Sequence, residues 1–385
     1  MPRAFPISNG MKILFTGGGT GGHFYPIIAI AQEINDITRE RRLIEPRLYY
    51  TSSDPYDKRM LFENNIVFKQ SPAGKLRRYF SILNFFDIFK TGWGIIKATF
   101  QVFFIFPDVI FSKGGYASFP TVLAARLFRI PLVIHESDSV PGRVNVWSGD
   151  FAERIAVSFP EAGKYFPKEK VAVTGNPVRR ELYTVASEGA MEFLHLEKNV
   201  PVILVLGGSQ GAEKINELIV ESLPDLVERY QILHQTGKGK LKGVEATAKV
   251  LLDGSQYSKR YRPFEYLNTL ALRMAAGAAS LIVSRGGSTI FEIALWKVPS
   301  IIIPLSTAAE DHQRKNAFSY ARSNGAVVIE ENNLTPHILT AEINRILEDK
   351  ALQEKMKEGA ATFAHPNAAR QIAEVLVAIA LQHES

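Results

Sequence analysis

The residues best suited to chemistry gather at three glycine-rich stretches: Gly17 to Gly22, Gly207 to Gly211, and Ser284-Arg285-Gly286-Gly287-Ser288-Thr289. Each follows an aliphatic run and precedes a helical one. A glycine loop in that position lets a ligand approach the backbone, and the unsatisfied N–H groups and dipole of the next helix attract an anion. Phosphate binding is the chemistry this pattern predicts. Gly17, Gly19 and Gly22 also satisfy G-x-G-x-x-G, but the acid a dinucleotide site needs about 20 residues on is missing, since Asp54 comes too late. Gly207-Gly208-Ser209-Gln210-Gly211 satisfies G-x-S-x-G, which would make Ser209 a hydrolase nucleophile. Such a triad needs a separately placed Asp and His, whereas Asp311 and His312 are adjacent, so phosphate contact by Ser209 is the favoured reading. No D-x-D occurs, and the eight His and the carboxylates form no ligand-spaced cluster, so no metal is expected at a bound diphosphate. Its charge would be met by helix N-termini, hydroxyls and a cation such as Arg179 or Arg285.

These loops must be held by strands. Short runs such as Lys12 to Phe15, Asp108 to Phe111, Pro131 to Ile134 and Val171 to Thr174 alternate with helical stretches, and the texture returns at Pro201 to Leu206, Gln231 to Gln235, Ser280 to Val283 and Pro299 to Pro304. Such alternation predicts an α/β fold of parallel sheets with helices on both faces. Ile13-Leu14-Phe15 enters the first glycine loop and, about 190 residues later, Val202 to Leu206 enters the second. The chain therefore reads as two similar halves, which its 385 residues accommodate. The turn Gly175-Asn176-Pro177-Val178 divides them, giving domains 1–177 and 178–363 and a C-terminal amphipathic helix within 364–385 that is free to pack back on the first half.

Composition narrows the function classes. Hydrophobic residues at 46% and charged residues at 22% exclude extensive disorder, and the absence of cysteine excludes disulfides, thiolate metal sites and cysteine nucleophiles. A net charge of +6 suits phosphates, nucleotides or an anionic lipid surface without choosing among them. The polar N-terminus, Met1 to Gly10, lacks the apolar stretch of a signal peptide, and the most apolar region, Tyr79 to Phe111, is broken by Asp87, Lys90, Lys97 and Asp108, so no spanning helix is expected. That region nevertheless combines Phe80, Phe85, Phe86, Phe89, Trp93, Phe100, Phe103, Phe104 and Phe106 with Lys75, Arg77, Arg78, Lys90 and Lys97. Two readings fit: helices facing a core, or a helix lying in a bilayer interface.

Several segments, in order, carry a family resemblance: Gly18-Gly19-Thr20-Gly21-Gly22-His23; Pro72 to Arg78; Lys113-Gly114-Gly115-Tyr116; His135-Glu136-Ser137-Asp138 with Pro141-Gly142; Gly175-Asn176-Pro177-Val178-Arg179; Gly207 to Ala212; and Asp311-His312-Gln313 with Asn316-Ala317. Over essentially its whole length the sequence closely resembles the MurG family of bacterial peptidoglycan glycosyltransferases, glycosyltransferase family 28. The resemblance implies the GT-B arrangement, two Rossmann-like doubly wound domains facing across a cleft. It implies an inverting transfer of N-acetylglucosamine from UDP-GlcNAc to the C4 hydroxyl of undecaprenyl-diphosphate-MurNAc-pentapeptide (lipid I), giving lipid II, without a metal. No nucleic acid is implied. With a lipid-linked acceptor, the aromatic and basic stretch becomes an expected peripheral attachment to an anionic membrane, at the cytoplasmic face of the plasma membrane.

The same resemblance assigns residues. His23 and Glu136 are the candidate bases for the acceptor proton. Thr20, Gly21, Gly22, Arg179, Ser209, Glu292 and Gln313 match donor contacts: the first loop, the nucleotide, the diphosphate, the ribose hydroxyls and a sugar hydroxyl. Tyr116, Asp138, Asn145, Asn216, Glu265, Ser288 and Thr289 match further positions around the site. Three departures stand out. Asp138 occupies a place where many members have Asn, and an anion cannot donate to a sugar carbonyl, although it can take a proton. The third loop, Ser284 to Glu292, is one residue shorter than the family pattern. Glu265 replaces an apolar residue near the uracil, favouring recognition by backbone. A GT-B transferase with another acceptor, such as a diacylglycerol or a polyketide, or a non-catalytic nucleotide-sugar binding subunit, would use the same donor motifs.

Overall fold

The computed structural model describes residues 10–74, 83–207, 212–308 and 311–383, without the side chains of 83–86 and 383. The polar N-terminus, Lys75 to Phe80, the side chains of Phe85 and Phe86, and Ser209 with its loop 208–211 lie outside the described residues. The chain divides into two units, Met1–Arg180 with Pro366–Ser385, and Glu181–His365.

In the first unit the order is β1 (Lys12–Thr16), α1 (Gly21–Glu40), β2 (Arg47–Ser52), α2 (Lys58–Glu63), β3 (Ile66–Gln70), α3 (Leu83–Ile105), β4 (Val109–Ser112), α4 (Phe119–Phe128), β5 (Leu132–Glu136), α5 (Arg143–Gly149), β6 (Arg154–Val157) and β7 (Val171–Val173). The second runs α6 (Ala190–Phe193), β8 (Val202–Leu206), α7 (Glu213–Glu221), α8 (Leu223–Arg229), β9 (Gln231–Gln235), α9 (Leu241–Leu251), β10 (Tyr261–Phe264), α10 (Thr269–Ala278), β11 (Ala279–Ser284), α11 (Thr289–Trp296), β12 (Ser300–Ile302), α12 (His312–Ala321), β13 (Ala326–Val328), α13 (Pro336–Glu348) and α14 (Lys350–Phe363). Helix α15 (Ala368–His383) belongs to the first unit.

Every strand pairing is parallel, in the order β3-β2-β1-β4-β5-β6-β7 and β10-β9-β8-β11-β12-β13. This is the doubly wound fold expected twice over. Strands β4, β5, β8 and β9 are buried along their length because helices cover both faces of each sheet. Five strands, β2, β3, β6, β10 and β13, were not singled out by the sequence pattern. Arg47 to Ser52 and Tyr261 to Phe264 mix polar and aromatic residues, and Ala326 to Val328 is only three residues long.

Chain order reverses between β1 and β4 in the first sheet and between β8 and β11 in the second. Ligands of open α/β sheets bind outside the carboxyl ends of strands at such switch points. The first glycine loop follows β1, the third follows β11, and Gly207 stands directly after β8, so all of these occupy such positions. Helix α15 packs along α1, and Ile372, Ala373, Leu376, Val377 and Ala380 enter the same core as Ile27, Ile34 and Phe111. The i, i+4 spacing of that apolar stripe is what lets one helix face fill the gap.

The aromatic stretch is a single helix over its described part. In α3, Gly94, Ala98, Val102 and Ile105 are buried, with α4 as the main neighbour, whereas Phe89, Trp93, Ile96, Phe100, Phe103 and Phe104 are exposed. At 3.6 residues per turn these two sets fall on opposite sides of the helix. A helix apolar on both sides satisfies the core with one face and leaves the other in contact with solvent.

Candidate active site

The first glycine loop is built by its neighbours. Buried Tyr50 donates from its hydroxyl to the Gly17 carbonyl at 3.0 Å, and Gly19 has φ +91°, a conformation open to glycine, against the Tyr116 ring. Thr20 caps α1 through its backbone, with no side-chain bond to the first turn. Its hydroxyl instead pairs with His23 Nδ1 at 3.0 Å. Gly21 and Gly22 thus supply first-turn N–H groups of a long helix, the arrangement that holds an anion. His23 is half-buried, and a Cβ at Gly115 would sit 3.3 Å from its Nε2, a tight contact at a position whose φ of +79° already favours glycine. Burial, reinforced by the charge of Lys113 and opposed by Asp138, pushes its pKa down to about 4. The imidazole is therefore neutral at pH 7.

Glu136 ends β5 and is buried. Its Oε1 accepts from Asp138 N at 2.9 Å, and its Oε2 from Gly142 N at 3.0 Å and Asn145 Nδ2 at 2.9 Å. Burial, then the neighbouring Asp138, raises its pKa, against these hydrogen bonds and Lys113. Both oxygens are engaged in shaping the 137–142 loop. Asn145, which also donates to the His135 carbonyl at 3.1 Å, is a buried brace on that loop. Asp138 is half-buried beside it.

Arg179, expected at the start of the second half, falls in the first unit, because the division lies at Arg180/Glu181 rather than after Pro177. It is 6% exposed, stacks over Tyr25 with 4.0 Å from guanidinium carbon to ring centroid, and leaves Nε without a partner among the described residues.

In the second unit the ends of β8 and β11 are tied by Ser284 Oγ donating to the Leu206 carbonyl at 3.2 Å. Asn216 is buried and donates to Thr236 O at 2.9 Å, while its Oδ1 meets His234 Nε2 at 3.1 Å; His234 Nδ1 in turn meets the Tyr261 hydroxyl at 2.9 Å. This chain of contacts ties α7 to β9 and β10. In the third loop a Cβ at Gly286 would strike the Gln313 carbonyl at 2.3 Å, so glycine lets α12 pack closely against this loop. Gln313 Oε1 accepts from Leu305 N at 3.0 Å, orienting the amide. Ser288 caps α11, Thr289 opens it, and Glu292 lies in its first turn, all half-buried. Glu265 is exposed and accepts from Gly239 N at 2.6 Å, so its carboxylate organises the Gly237–Gly239 turn. Arg285, one of two cations considered for a diphosphate, is instead paired with Glu331 at 2.7 Å and donates to the Ile303 carbonyl at 3.2 Å.

The structure thus gathers Thr20, Gly21, Gly22, His23, Tyr116, Glu136, Asp138 and Asn145 around the carboxyl ends of β1, β4 and β5, and Asn216, Ser288, Thr289, Glu292 and Gln313 around those of β8 and β11. Sequence reasoning assigned no role to Tyr25, Tyr50, Ser137, Asn176 or the buried charge of Lys113. A lysine set directly between the run Val109-Ile110-Phe111-Ser112 and Gly114-Gly115 was the available signal.

Residues 13–157 match the glycosyltransferase family 28 N-terminal domain and residues 202–372 its C-terminal domain. A protein of Bacillus thuringiensis (strain Al Hakam), named UDP-N-acetylglucosamine--N-acetylmuramyl-(pentapeptide) pyrophosphoryl-undecaprenol N-acetylglucosamine transferase 3, is 38% identical over 87% of this chain and 91% of its own. The protein of that name without a number from Treponema denticola is 33% identical over 89% of each. The crystal structure of Acinetobacter baumannii MurG superimposes with a TM-score of 0.71 at 25% identity, covering 96% of this chain and 99% of that one. With both domains matched and relatives this similar over nearly nine-tenths of its length, the chain belongs to glycosyltransferase family 28.

Proposed function

We propose that this protein transfers N-acetylglucosamine from UDP-GlcNAc to the C4 hydroxyl of undecaprenyl-diphosphate-linked MurNAc-pentapeptide. The observation that carries the reading is the half-exposed, neutral imidazole of His23 at the N-terminus of α1, in a chain so similar to transferases of that name. In the tautomer whose Nδ1–H donates to the Thr20 hydroxyl, Nε2 keeps its lone pair. The acceptor oxygen attacks the anomeric carbon, its proton passes to His23 Nε2, and the bond to UDP breaks on the opposite face, so the anomeric centre inverts. The second unit holds the donor: N–H groups at the start of α7 and α11 and the Ser209, Ser288 and Thr289 hydroxyls take the diphosphate, Glu292 the ribose, and the Gln313 NH2 a sugar hydroxyl. The family resemblance also assigns Arg179, Thr20 and the first-loop N–H groups of Gly21 and Gly22 to the donor. Glu136 shapes the loop that carries Asp138. Radiolabelled UDP-GlcNAc with a soluble lipid I analogue in EDTA should yield labelled disaccharide. No product, or strict dependence on added metal, would overturn this reading.

The acceptor's lipid gives the outer face of α3 a role. Phe89, Trp93, Phe100 and Phe104 are 60 to 79% exposed, with Lys90 and Lys97 alongside. Aromatics set beside cations are how a helix lies on an anionic bilayer surface. Among the described residues no helix is long and apolar enough to cross a membrane. Replacing Phe89, Trp93, Phe100 and Phe104 by Ser should abolish sedimentation with phosphatidylglycerol vesicles while leaving UDP affinity intact. Undiminished vesicle binding would show that another surface is responsible.

A further inference from the structure

The scheme above makes no use of Lys113, the residue that follows β4. It is 1% exposed, and its Nζ donates to His135 Nδ1 at 2.7 Å, Ser137 Oγ at 2.8 Å and Asn176 Oδ1 at 3.2 Å. Three acceptors match the three protons of an ammonium. His135 accepts at Nδ1, so its Nε2–H donates to the Gly175 carbonyl at 3.0 Å and the ring is a neutral, single tautomer. One buried cation thus ties together the segments that follow β4, β5 and β7.

A buried ammonium needs countercharge. It comes from Glu136 and Asp138, which favour the charged lysine against the effect of burial. The pair acts in opposite senses on each candidate base: the Lys113 cation disfavours an imidazolium at His23 and favours a carboxylate at Glu136, and the Asp138 anion does the reverse at both. The titratable groups around Lys113 are His23 from α1, His135 and Glu136 from β5, and Asp138 from the loop beyond.

We propose that Lys113 is a positioning residue for glycosyl transfer, its ammonium forming with the Asp138 carboxylate a matched charge pair beneath the first glycine loop that holds the 137–142 segment and sets the electrostatic surroundings of His23. The Asp at position 138, unusual beside the family pattern, is then the partner of a buried lysine. The kinetic arm of the test rests on the transferase reading above; the spectroscopic arm does not.

The full-length protein is compared with Lys113→Met, Lys113→Gln, Lys113→Arg, Asp138→Asn and the double variant Lys113→Met with Asp138→Asn. The readouts are the pH dependence of kcat/KM and the titration of His23 by NMR. Loss of the cation should move the acid limb and the His23 midpoint up by about one pH unit, the effect of a single nearby charge. Asp138→Asn should move both down, the double variant should return close to the wild type, and Lys113→Arg should leave both in place. A fall in kcat without movement of either quantity, or a double variant no nearer the wild type than the singles, would overturn the proposal. Lys113→Gln keeps a donor without the charge and decides the matter if Lys113→Met fails to fold. If the wild type transfers no sugar, the transferase reading fails, and the His23 titration still tests Lys113.

Discussion

Replacing His23 by alanine should lower kcat by about 100- to 10,000-fold, the usual worth of a positioned general base, with UDP affinity little changed. The three groups near the first loop that could take the acceptor proton, His23, Glu136 and Asp138, are not equivalent. Glu136 presents both oxygens to N–H donors of its own loop, so it is held as an acceptor inside the protein. His23 is half-exposed, and its one bond from a ring nitrogen to Thr20 leaves the other directed at the space beside Gly115. The sign of the pH dependence follows from its depressed pKa. Protonation removes the base, so activity falls as pH drops through about 4 and is unaffected by His23 across the ordinary imidazole range around 6.5. In His23→Ala that acid limb should disappear together with the rate. A loss smaller than tenfold would pass the role to Asp138.

The second large effect concerns folding. Leu376→Ala in α15 should destabilise the first unit by about 2 to 5 kcal/mol, the cost of deleting buried methyl groups and leaving a cavity. Leu376 is fully buried in the core that α1 and the first sheet build, although 339 residues separate it from Ile37 (376 − 37) in the same cluster. The ion pairs at the rim are a contrast. Arg370 reaches both oxygens of Glu40, yet these groups are exposed to solvent that screens the pair, and Arg370→Ala should cost far less than Leu376→Ala. Urea unfolding in a Trp296→Phe background reports the first unit through Trp93 and Trp147. A Leu376→Ala loss no greater than that of Arg370→Ala would mean that α15 is dispensable to the core.

Much of the fold was legible because its signals are short-range. Aliphatic runs ending in glycine at Gly17, Gly207 and Gly286 announce strand, loop and helix within about a dozen residues, and their repetition announces two halves. The strands that escaped notice, such as Arg47 to Ser52 with its two tyrosines, owe their state to neighbours already in the sheet. The site divides in the same way. His23 and the first-loop glycines stand where a motif places them, whereas Asn145, Asn216 and Glu265 turned out to brace loops, because their hydrogen-bond partners lie 9 to 26 residues away.

By itself the sequence determined eight of the thirteen described strands with their glycine loops, the two halves, the likeness to a glycosyltransferase family, and the aromatic and basic character of α3. Those properties reside in neighbouring residues and survive without knowledge of what packs around them. Tertiary structure alone decided that Arg285 is paired to Glu331, that α15 returns to the first unit, that one side of α3 is left exposed, and that Lys113 is buried among His135, Ser137 and Asn176. Exposure and protonation are properties of surroundings. Segments as far apart as Lys113 and Asn176, or Glu40 and Arg370, must be brought together before either has a value.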